Sequence, residues 1–135
     1  MLMSQIGYPN FELVLYTVEN GMTFFTVIDN LDPGNQYINY RLFRDATRFI
    51  KGHHVKDVSA LNRDPKRVII VDWDKDTVSL ATDNALILKK WEGDTTDTAL
   101  IGLAQLLQSK YGCIERCRLD FHPPPLLFFI FAPLS

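Results

Sequence analysis

The sequence predicts an α/β domain with a mainly parallel β-sheet. The apolar run Val68-Ile69-Ile70-Val71 is unbroken, as is typical of a strand buried on both faces of a parallel sheet. Near the N-terminus, an apolar strand pattern at 11–16 precedes a helical pattern at 22–31 and the stop Pro33-Gly34, an order that forms half of a βαβ unit. The Val/Ile run ends at Asp72, and ligands of α/β sheets bind at the carboxyl ends of strands.

Length and composition indicate one domain. The chain has 135 residues and 47% hydrophobic content, which is enough to fill one core. A net charge of -2 gives no overall attraction to nucleic acid or to an anionic membrane. We expect no membrane span, because the longest apolar stretch, 126–134, is far shorter than about 18 residues. We also expect no targeting signal, because residues 1–4 contain neither a basic region nor an arginine-rich leader.

The remaining elements are predicted from periodicity and turn residues. Residues 37–58 favour two or three short antiparallel strands with a turn at Lys51-Gly52, which we interpret as an inserted β-hairpin. Two short strands are expected at Thr77–Leu80 and Ala85–Leu88. A helix capped within 94–97 is expected to run to about residue 108, with these leucines on its apolar side: Leu100, Leu103, Leu106 and Leu107.

The chain changes character after residue 110. Three consecutive prolines at 123–125 favour polyproline II, and residues 126–131 have no polar face. We therefore predict a domain at 1–110 and an atypical, poorly ordered tail at 111–135. Cys113, Cys117 and His122 supply three candidate ligands, whereas a structural zinc ion usually has four, so we expect no metal there.

Three polar groups are candidates for an anion site: Thr17, Lys56 and Asp72, the last with Asp74 close by. A hydroxyl and an ammonium could hold phosphate oxygens while carboxylates bind Mg²⁺. Asp72 could instead only accept hydrogen bonds from nearby backbone N–H groups. Likewise, Lys56 could form a surface ion pair with Asp57 or Asp45.

The middle third of the chain is locally basic, which fits either a solvated hairpin surface or contact with an acidic partner. Its cationic residues are Arg41, Arg44, Arg48, Lys51, Arg63, Lys66 and Arg67. His53 and His54 are adjacent, so on a strand they point to opposite faces and cannot bind one ion. We interpret them as part of the exposed hairpin.

Several motifs resemble a known family. The segments 40–45, 54–64 and 68–72, together with Trp91 and Asp97, resemble the haloacid-dehalogenase-like domain of RNA polymerase C-terminal-tail phosphatases. The same domain occurs in the presequence-receptor subunits of the mitochondrial inner-membrane translocase. Residues 21–23, 44–48, 52–54 and 61–65 favour the second group. The resemblance covers about residues 6–109 and implies a Rossmann-like haloacid-dehalogenase fold.

The resemblance also assigns roles to the three polar groups. Thr17 matches the family's second-motif hydroxyl, Lys56 its phosphate-binding lysine and Asp72 its metal-binding aspartate. Trp73 departs from the Asn or Asp that usually follows. The family's nucleophile lies in an Asp-x-Asp-x-(Thr/Val) motif on its first strand, and no Asp-x-Asp occurs before Phe11. The resemblance thus implies a fold lacking the first strand, a degenerate phosphatase-like site and no cofactor, residual Mg²⁺ binding being the alternative.

The absence of this strand should weaken the domain. That strand is central in the family's sheet, so its neighbours are expected to lose a row of backbone partners, which makes the chain marginally stable. We interpret the chain as truncated or alternatively spliced.

The function implied by the resemblance is a non-catalytic component of the presequence translocase, which takes part in protein import into the matrix. Its implied place is the inner membrane, facing the intermembrane space, and its implied partners are the channel-forming subunit and presequence-bearing precursors. The partner-binding candidates lie in residues 40–56: Arg41, Arg44, Arg48, Lys51, His53 and His54. The alternative is a fragment of a Mg²⁺-dependent serine/threonine phosphatase with an aspartate nucleophile.

Overall fold

A computed structural model describes residues 2–6, 11–111 and 126–129. Its main sheet has five strands in the order β2-β1-β7-β5-β6, and every pairing in this sheet is parallel. The strands are β1 Glu12–Tyr16, β2 Tyr40–Leu42, β3 Arg48–Ile50, β4 His53–Val55, β5 Val68–Asp72, β6 Ala85–Ile87 and β7 Leu126–Phe129. The helices are α1 Leu2–Ile6, α2 Gly21–Leu31 and α3 Ala99–Tyr111. The predicted α/β class with a mainly parallel sheet is confirmed.

A complete βαβ unit forms the N-terminal part of the domain. The side chain of Asn20 accepts a hydrogen bond from the Met22 N–H at 3.0 Å and so caps the start of α2. After the helix, buried Asp32 accepts hydrogen bonds from three successive backbone N–H groups at 36–38, which directs the chain back toward the sheet. The strand that follows, β2, pairs in parallel with β1. Our assignment of residues 40–42 to the antiparallel hairpin was therefore wrong.

The predicted hairpin is formed by β3 and β4 alone, as a separate two-stranded antiparallel sheet. Its turn is at Lys51 and Gly52, whose φ angles are 49° and 87°. Positive φ at both central turn residues matches the right-handed twist of a two-residue hairpin loop. The insertion of a hairpin into the α/β layout is thus confirmed, over a shorter span than predicted.

Apolar side chains cover both faces of the sheet. On one face, alternate residues of β1 and β5 pack in a cluster with all three helices, including Ile6 of α1, Ile28 of α2 and Leu107 of α3. On the other face, the intervening residues of the same strands pack with Val58, Val78 and partners around them. All five residues of β5 are buried, which confirms the interpretation of the Val/Ile run.

The segment between β5 and α3 departs from the prediction in two places. Residues 77–80 form turns rather than a strand, because Asp74 accepts the Asp76 N–H through its side chain and the Thr77 hydroxyl through its carbonyl. The strand expected at 85–88 is confirmed as β6. In α3, Leu103 and Leu107 are buried as predicted, but two leucines of the predicted apolar side remain 40% and 39% exposed, Leu100 and Leu106.

The centre of the sheet is occupied by β7. Four residues of β1 pair in parallel with β7, and four residues of β5 pair with its other side. The expectation that the neighbours of a missing strand would lack backbone partners is therefore wrong. The domain boundary at residue 110 stays a prediction, although these four residues beyond it lie within the main sheet.

Because β7 is bonded on both sides, its backbone should be sensitive to proline. Leu127→Pro removes an N–H from a central strand and leaves a buried carbonyl unpaired, so we expect a loss of about 1–3 kcal/mol or more in the free energy of unfolding. Urea denaturation followed by circular dichroism measures it. Leu127→Ile keeps the N–H and serves as the matched control. Equal stability of the two variants would contradict the central position of β7.

Candidate functional site

The three polar residues singled out from the sequence lie at the carboxyl edge of the main sheet or next to it. Asp72 is the last residue of β5, Thr17 directly follows β1, and Lys56 directly follows β4. The Lys56 N–H donates to the Thr77 carbonyl at 2.7 Å, which fixes the lysine backbone beside the turn after β5. All three residues are buried.

Lys56 and Asp72 form a buried ion pair. The Lys56 Nζ is 2.8 Å from Asp72 Oδ2, and both side chains are only 1% exposed. The same oxygen accepts the Thr77 hydroxyl at 2.6 Å. The surface ion pair considered for Lys56, with Asp57 or Asp45, is therefore wrong, because the lysine instead points into the core.

The second oxygen of Asp72 is also occupied. Its Oδ1 accepts the N–H of Trp73 at 2.7 Å and the N–H of Asp74 at 3.1 Å. An ionised carboxylate has about four lone-pair sites, and four donors surround this one. The structural alternative for Asp72, acceptance of nearby backbone N–H groups, is thus observed alongside the ion pair.

The ammonium group of Lys56 is charged at neutral pH. Burial lowers the pKa of Lys56 to about 8, against the opposing attraction of the Asp72 carboxylate. A pKa of about 8 still leaves the lysine mostly protonated at pH 7. The pair is therefore a desolvated charge–charge contact, and removal of either partner leaves the other charge buried and unpaired.

Thr17 is separated from this pair by one strand. Leu15 of β1 and Val71 of β5 are both in register with Phe129 of β7. At about 4.8 Å per strand, the backbones of β1 and β5 are about 10 Å apart. The Thr17 hydroxyl accepts the Glu19 N–H at 3.1 Å. The structure thus brings Lys56 and Asp72 together and keeps Thr17 across the central strand.

The central strand brings no carboxylate between Thr17 and Asp72. Its sequence is Leu-Leu-Phe-Phe. Elsewhere, the order Asp74-x-Asp76-x-Val78 fits the spacing of the nucleophile motif, a match that our sequence reasoning missed. These residues lie in turns after β5, not at the end of a strand, and the Asp74 carboxylate accepts the Asp76 N–H at 2.9 Å.

The residues at this edge do not fit a Mg²⁺ ion. Mg²⁺ needs near-octahedral oxygen coordination and is usually held by one or two carboxylates with free lone pairs. Both Asp72 oxygens are engaged, and the ammonium 2.8 Å away repels a cation. Over the described part of the chain, no group of three or more His, Cys, Asp or Glu side chains could hold a metal ion. Cys113, Cys117 and His122 lie outside the described residues.

Two of the predicted partner-binding arginines are engaged within the domain. Arg41 forms an ion pair with Asp29 of α2 at 3.1 Å and also donates to the Asn35 side chain. The Arg44 Nε donates to the Val18 carbonyl at 2.8 Å. These contacts join the segment before the hairpin to the βαβ unit, so both arginines have structural partners.

The other four candidates lie on the hairpin itself. Arg48 pairs with Asp57 at 3.3 Å but its side chain remains 64% exposed. His54 Nδ1 lies 2.7 Å from the Thr47 hydroxyl. Lys51 in the turn and His53 at the start of β4 are exposed.

Sequence reasoning missed two features of the hairpin. Phe49 is 67% exposed and packs its ring against His54, with centroids 5.1 Å apart, so an aromatic side chain lies among the basic ones. The hairpin base is held by Tyr16, whose hydroxyl donates to the Ala46 carbonyl and accepts the Asp57 N–H at 3.3 Å. The sequence of β3, Arg-Phe-Ile, does not alternate between apolar and polar residues, so neither feature has a local signal in the sequence.

Comparison with known proteins shows the family of this chain. The sequence profile of the NLI interacting factor-like phosphatases matches residues 3–118. The chain belongs to this family.

The chain is also similar to a group of mitochondrial proteins. The chain is 48% identical over 101 residues to the mitochondrial import inner membrane translocase subunit TIM50 of Mus musculus, which is 75% of this chain and 28% of that protein. The protein of the same name from Homo sapiens gives the same identity and coverage. The Caenorhabditis elegans protein is 49% identical over 104 residues, covering 77% of this chain and 23% of its own length. These findings confirm the resemblance, and the chain spans about a quarter of the relatives' length.

Helices long and apolar enough to cross a membrane do not occur in the described ranges.

The buried pair should give strongly non-additive variants. Lys56→Met leaves the Asp72 carboxylate without its cation, so we expect a loss of about 3–5 kcal/mol in the free energy of unfolding. Adding Asp72→Asn removes the stranded charge and should restore part of that loss. A urea-denaturation double-mutant cycle measures the coupling. Simple additivity of the two single changes would refute the ion pair as described.

Proposed function

We propose that this domain is a non-catalytic component of the mitochondrial inner-membrane presequence translocase and takes part in protein import into the matrix. The observation that carries the proposal is the 48% identity over 101 residues to proteins named as subunits of this translocase. The chain covers 28% of those proteins, so the role proposed is that of one domain. We also assign its fold to the Rossmann-like haloacid-dehalogenase class, which the parallel sheet and inserted hairpin support.

The absence of catalysis is supported by the carboxyl edge of the sheet. Phosphoryl transfer in the related phosphatases needs an aspartate nucleophile at the central strand, and β7 has only leucine and phenylalanine there. The family's lysine and metal-binding aspartate are present as Lys56 and Asp72, but they are bonded to one another. We therefore propose a structural role for Thr17, Lys56 and Asp72, with no cofactor.

The proposed location is the inner membrane with the domain facing the intermembrane space, and the proposed partners are the channel-forming subunit and presequence-bearing precursors. The names of the relatives support the membrane and the translocase. The side of the membrane and the individual partners rest on the family resemblance alone.

Within this role, the hairpin is the best candidate for contact with a neighbouring subunit. It extends as a separate two-stranded sheet and exposes Phe49 among Arg48, Lys51 and His53. An aromatic anchor surrounded by cations suits an acidic partner with an apolar residue. A presequence is itself a basic amphipathic helix, so this surface suits the channel-forming subunit better than the presequence. Arg41 and Arg44 contribute less, since their guanidinium groups are used internally.

The alternative is that the chain is a fragment of a Mg²⁺-dependent serine/threonine phosphatase with an aspartate nucleophile. The name of the matching family, NLI interacting factor-like phosphatase, favours this reading. The internal use of both Asp72 oxygens disfavours it.

A charge reversal on the hairpin tests the proposed contact. Lys51→Glu should reduce co-purification of the channel-forming subunit, because it places a negative charge on the surface that meets an acidic partner. The matched control is Lys66→Glu, at an exposed lysine outside the hairpin, with the same change in charge. Quantitative immunoprecipitation from mitochondria carrying the domain within its full-length protein measures recovery. Equal recovery with both variants would remove the hairpin from the interface.

Phosphatase activity discriminates between the two functions. We expect no Mg²⁺-dependent release of phosphate from an aryl phosphate by the purified chain. Among the described residues, the carboxylate that contacts Lys56 is that of Asp72, and both of its oxygens are engaged. An active polymerase-tail phosphatase in the same assay serves as the positive control. Release that requires Mg²⁺, and that disappears in a Lys56→Met variant whose circular dichroism shows it still folded, would establish the alternative.

A further inference from the structure

β7 lies between two strands whose connection along the chain does not pass through it, and this holds whatever the function of the domain. The connection between β1 and β5 runs through α2, β2 and the hairpin and does not include β7. No described element follows β7. The four residues of this strand can therefore leave the sheet without breaking the connection between β1 and β5.

We propose that the gap between β1 and β5 is a strand-receiving site, and that residues 126–129 of a second copy of this chain can fill it. The contacts made in the exchanged dimer would be those already seen within one chain, eight paired positions along two parallel ladders. Exchange of an identical element between copies preserves every such contact, so it changes mainly the entropy of the connection.

The gap selects a narrow class of strand. Both neighbours run parallel to the occupant, so only a segment in the same direction satisfies the two ladders. The register partners Val14 and Ile70 belong to the apolar cluster on one face, and Leu13 and Ile69 to the cluster on the other. An occupant between strands buried on both faces must be apolar throughout, as Leu-Leu-Phe-Phe is.

The connection to β7 makes exchange accessible. Residues 112–125 separate α3 from β7, and their sequence ends in three prolines. Short connections in general give a tethered segment an effective concentration on the order of millimolar for its own site. Stiff proline-rich sequence lowers that value by restricting the geometries that return the strand to its own chain. The fraction of exchanged dimer should therefore rise with protein concentration and become large as that concentration approaches about 1 mM.

Disulfide trapping tests the exchange in the full chain. Val14 and Phe128 are register partners on adjacent strands, whose spacing of about 4.8 Å lies within the Cα separations that disulfides accept. With Cys113 and Cys117 changed to serine, a Val14→Cys chain is mixed with a Phe128→Cys chain, unfolded in urea, refolded together and oxidised. We expect a cross-linked species of twice the 15.5 kDa chain mass, more abundant at higher protein concentration.

Two controls accompany the mixture. Val14→Cys mixed with Ser109→Cys, an exposed residue of α3, reports collisional cross-linking and should give little dimer. The Val14→Cys/Phe128→Cys double variant in one chain should form the bond internally when dilute. The pair Leu13→Cys and Leu127→Cys, also in register, replaces the first pair if its variants do not refold.

The outcomes are distinct. Mixed-chain dimer well above the Ser109→Cys control supports exchange. An internal bond in the double variant with no mixed-chain dimer at any concentration would overturn it, since β7 then remains in its own chain. Failure of the double variant to form the internal bond, for both cysteine pairs, would also overturn it, because the gap is then not occupied by residues 126–129. None of these results depends on mitochondrial import.

Discussion

The pairing of β7 with both of its neighbours is the constraint on which the rest of the structure depends. β1 and β5 are buried on both faces, so water cannot replace missing partners for their backbone N–H and C=O groups. Without a strand between them, the sheet would consist of two separate two-stranded ladders, β2-β1 and β5-β6. The apolar cluster on each face contains residues of both β1 and β5, so each cluster spans the junction that β7 occupies.

The polar contacts at the carboxyl edge follow from the same arrangement. Because β1 and β5 are parallel, Thr17 and Asp72 must lie at one edge, and the hairpin delivers Lys56 to it. In a catalytic site, these groups would leave lone pairs and protons free for a substrate. Here Asp72 receives a cation, a hydroxyl and two backbone N–H groups. Four donors around one carboxylate lower the cost of its burial, and they occupy about as many positions as it has lone-pair sites.

Local patterns predicted the elements well and their partners poorly. The Val/Ile run at 68–71 was sufficient to predict a buried strand, and the apolar spacing of α2 was sufficient to predict a helix. Burial on both faces and the helical period each produce a recognisable pattern of apolar residues in the sequence. Residues 77–80 have strand composition, yet Asp74 and Thr77 form a side-chain-stabilised turn instead. Residue chemistry nominated Lys56 and Asp72 for an anion site, and the family resemblance then gave each its individual role. Pairing of β7 with β1 joins segments more than a hundred residues apart, and no periodicity encodes such a contact.

The same strand pairing determines how firmly the hairpin is held. Leu15 pairs with Phe129, and the next residue of β1, Tyr16, extends its hydroxyl to the Ala46 carbonyl and the Asp57 N–H at the hairpin base. Asp57 in turn pairs with Arg48 of β3. Tyr16 and Asp57 thus connect the exposed surface around Phe49 to β1. The β1–β7 ladder connects β1 in turn to the central strand. Loss of β7 would remove one of the two ladders of β1, and with it part of the support for the Tyr16 contacts that hold the hairpin base.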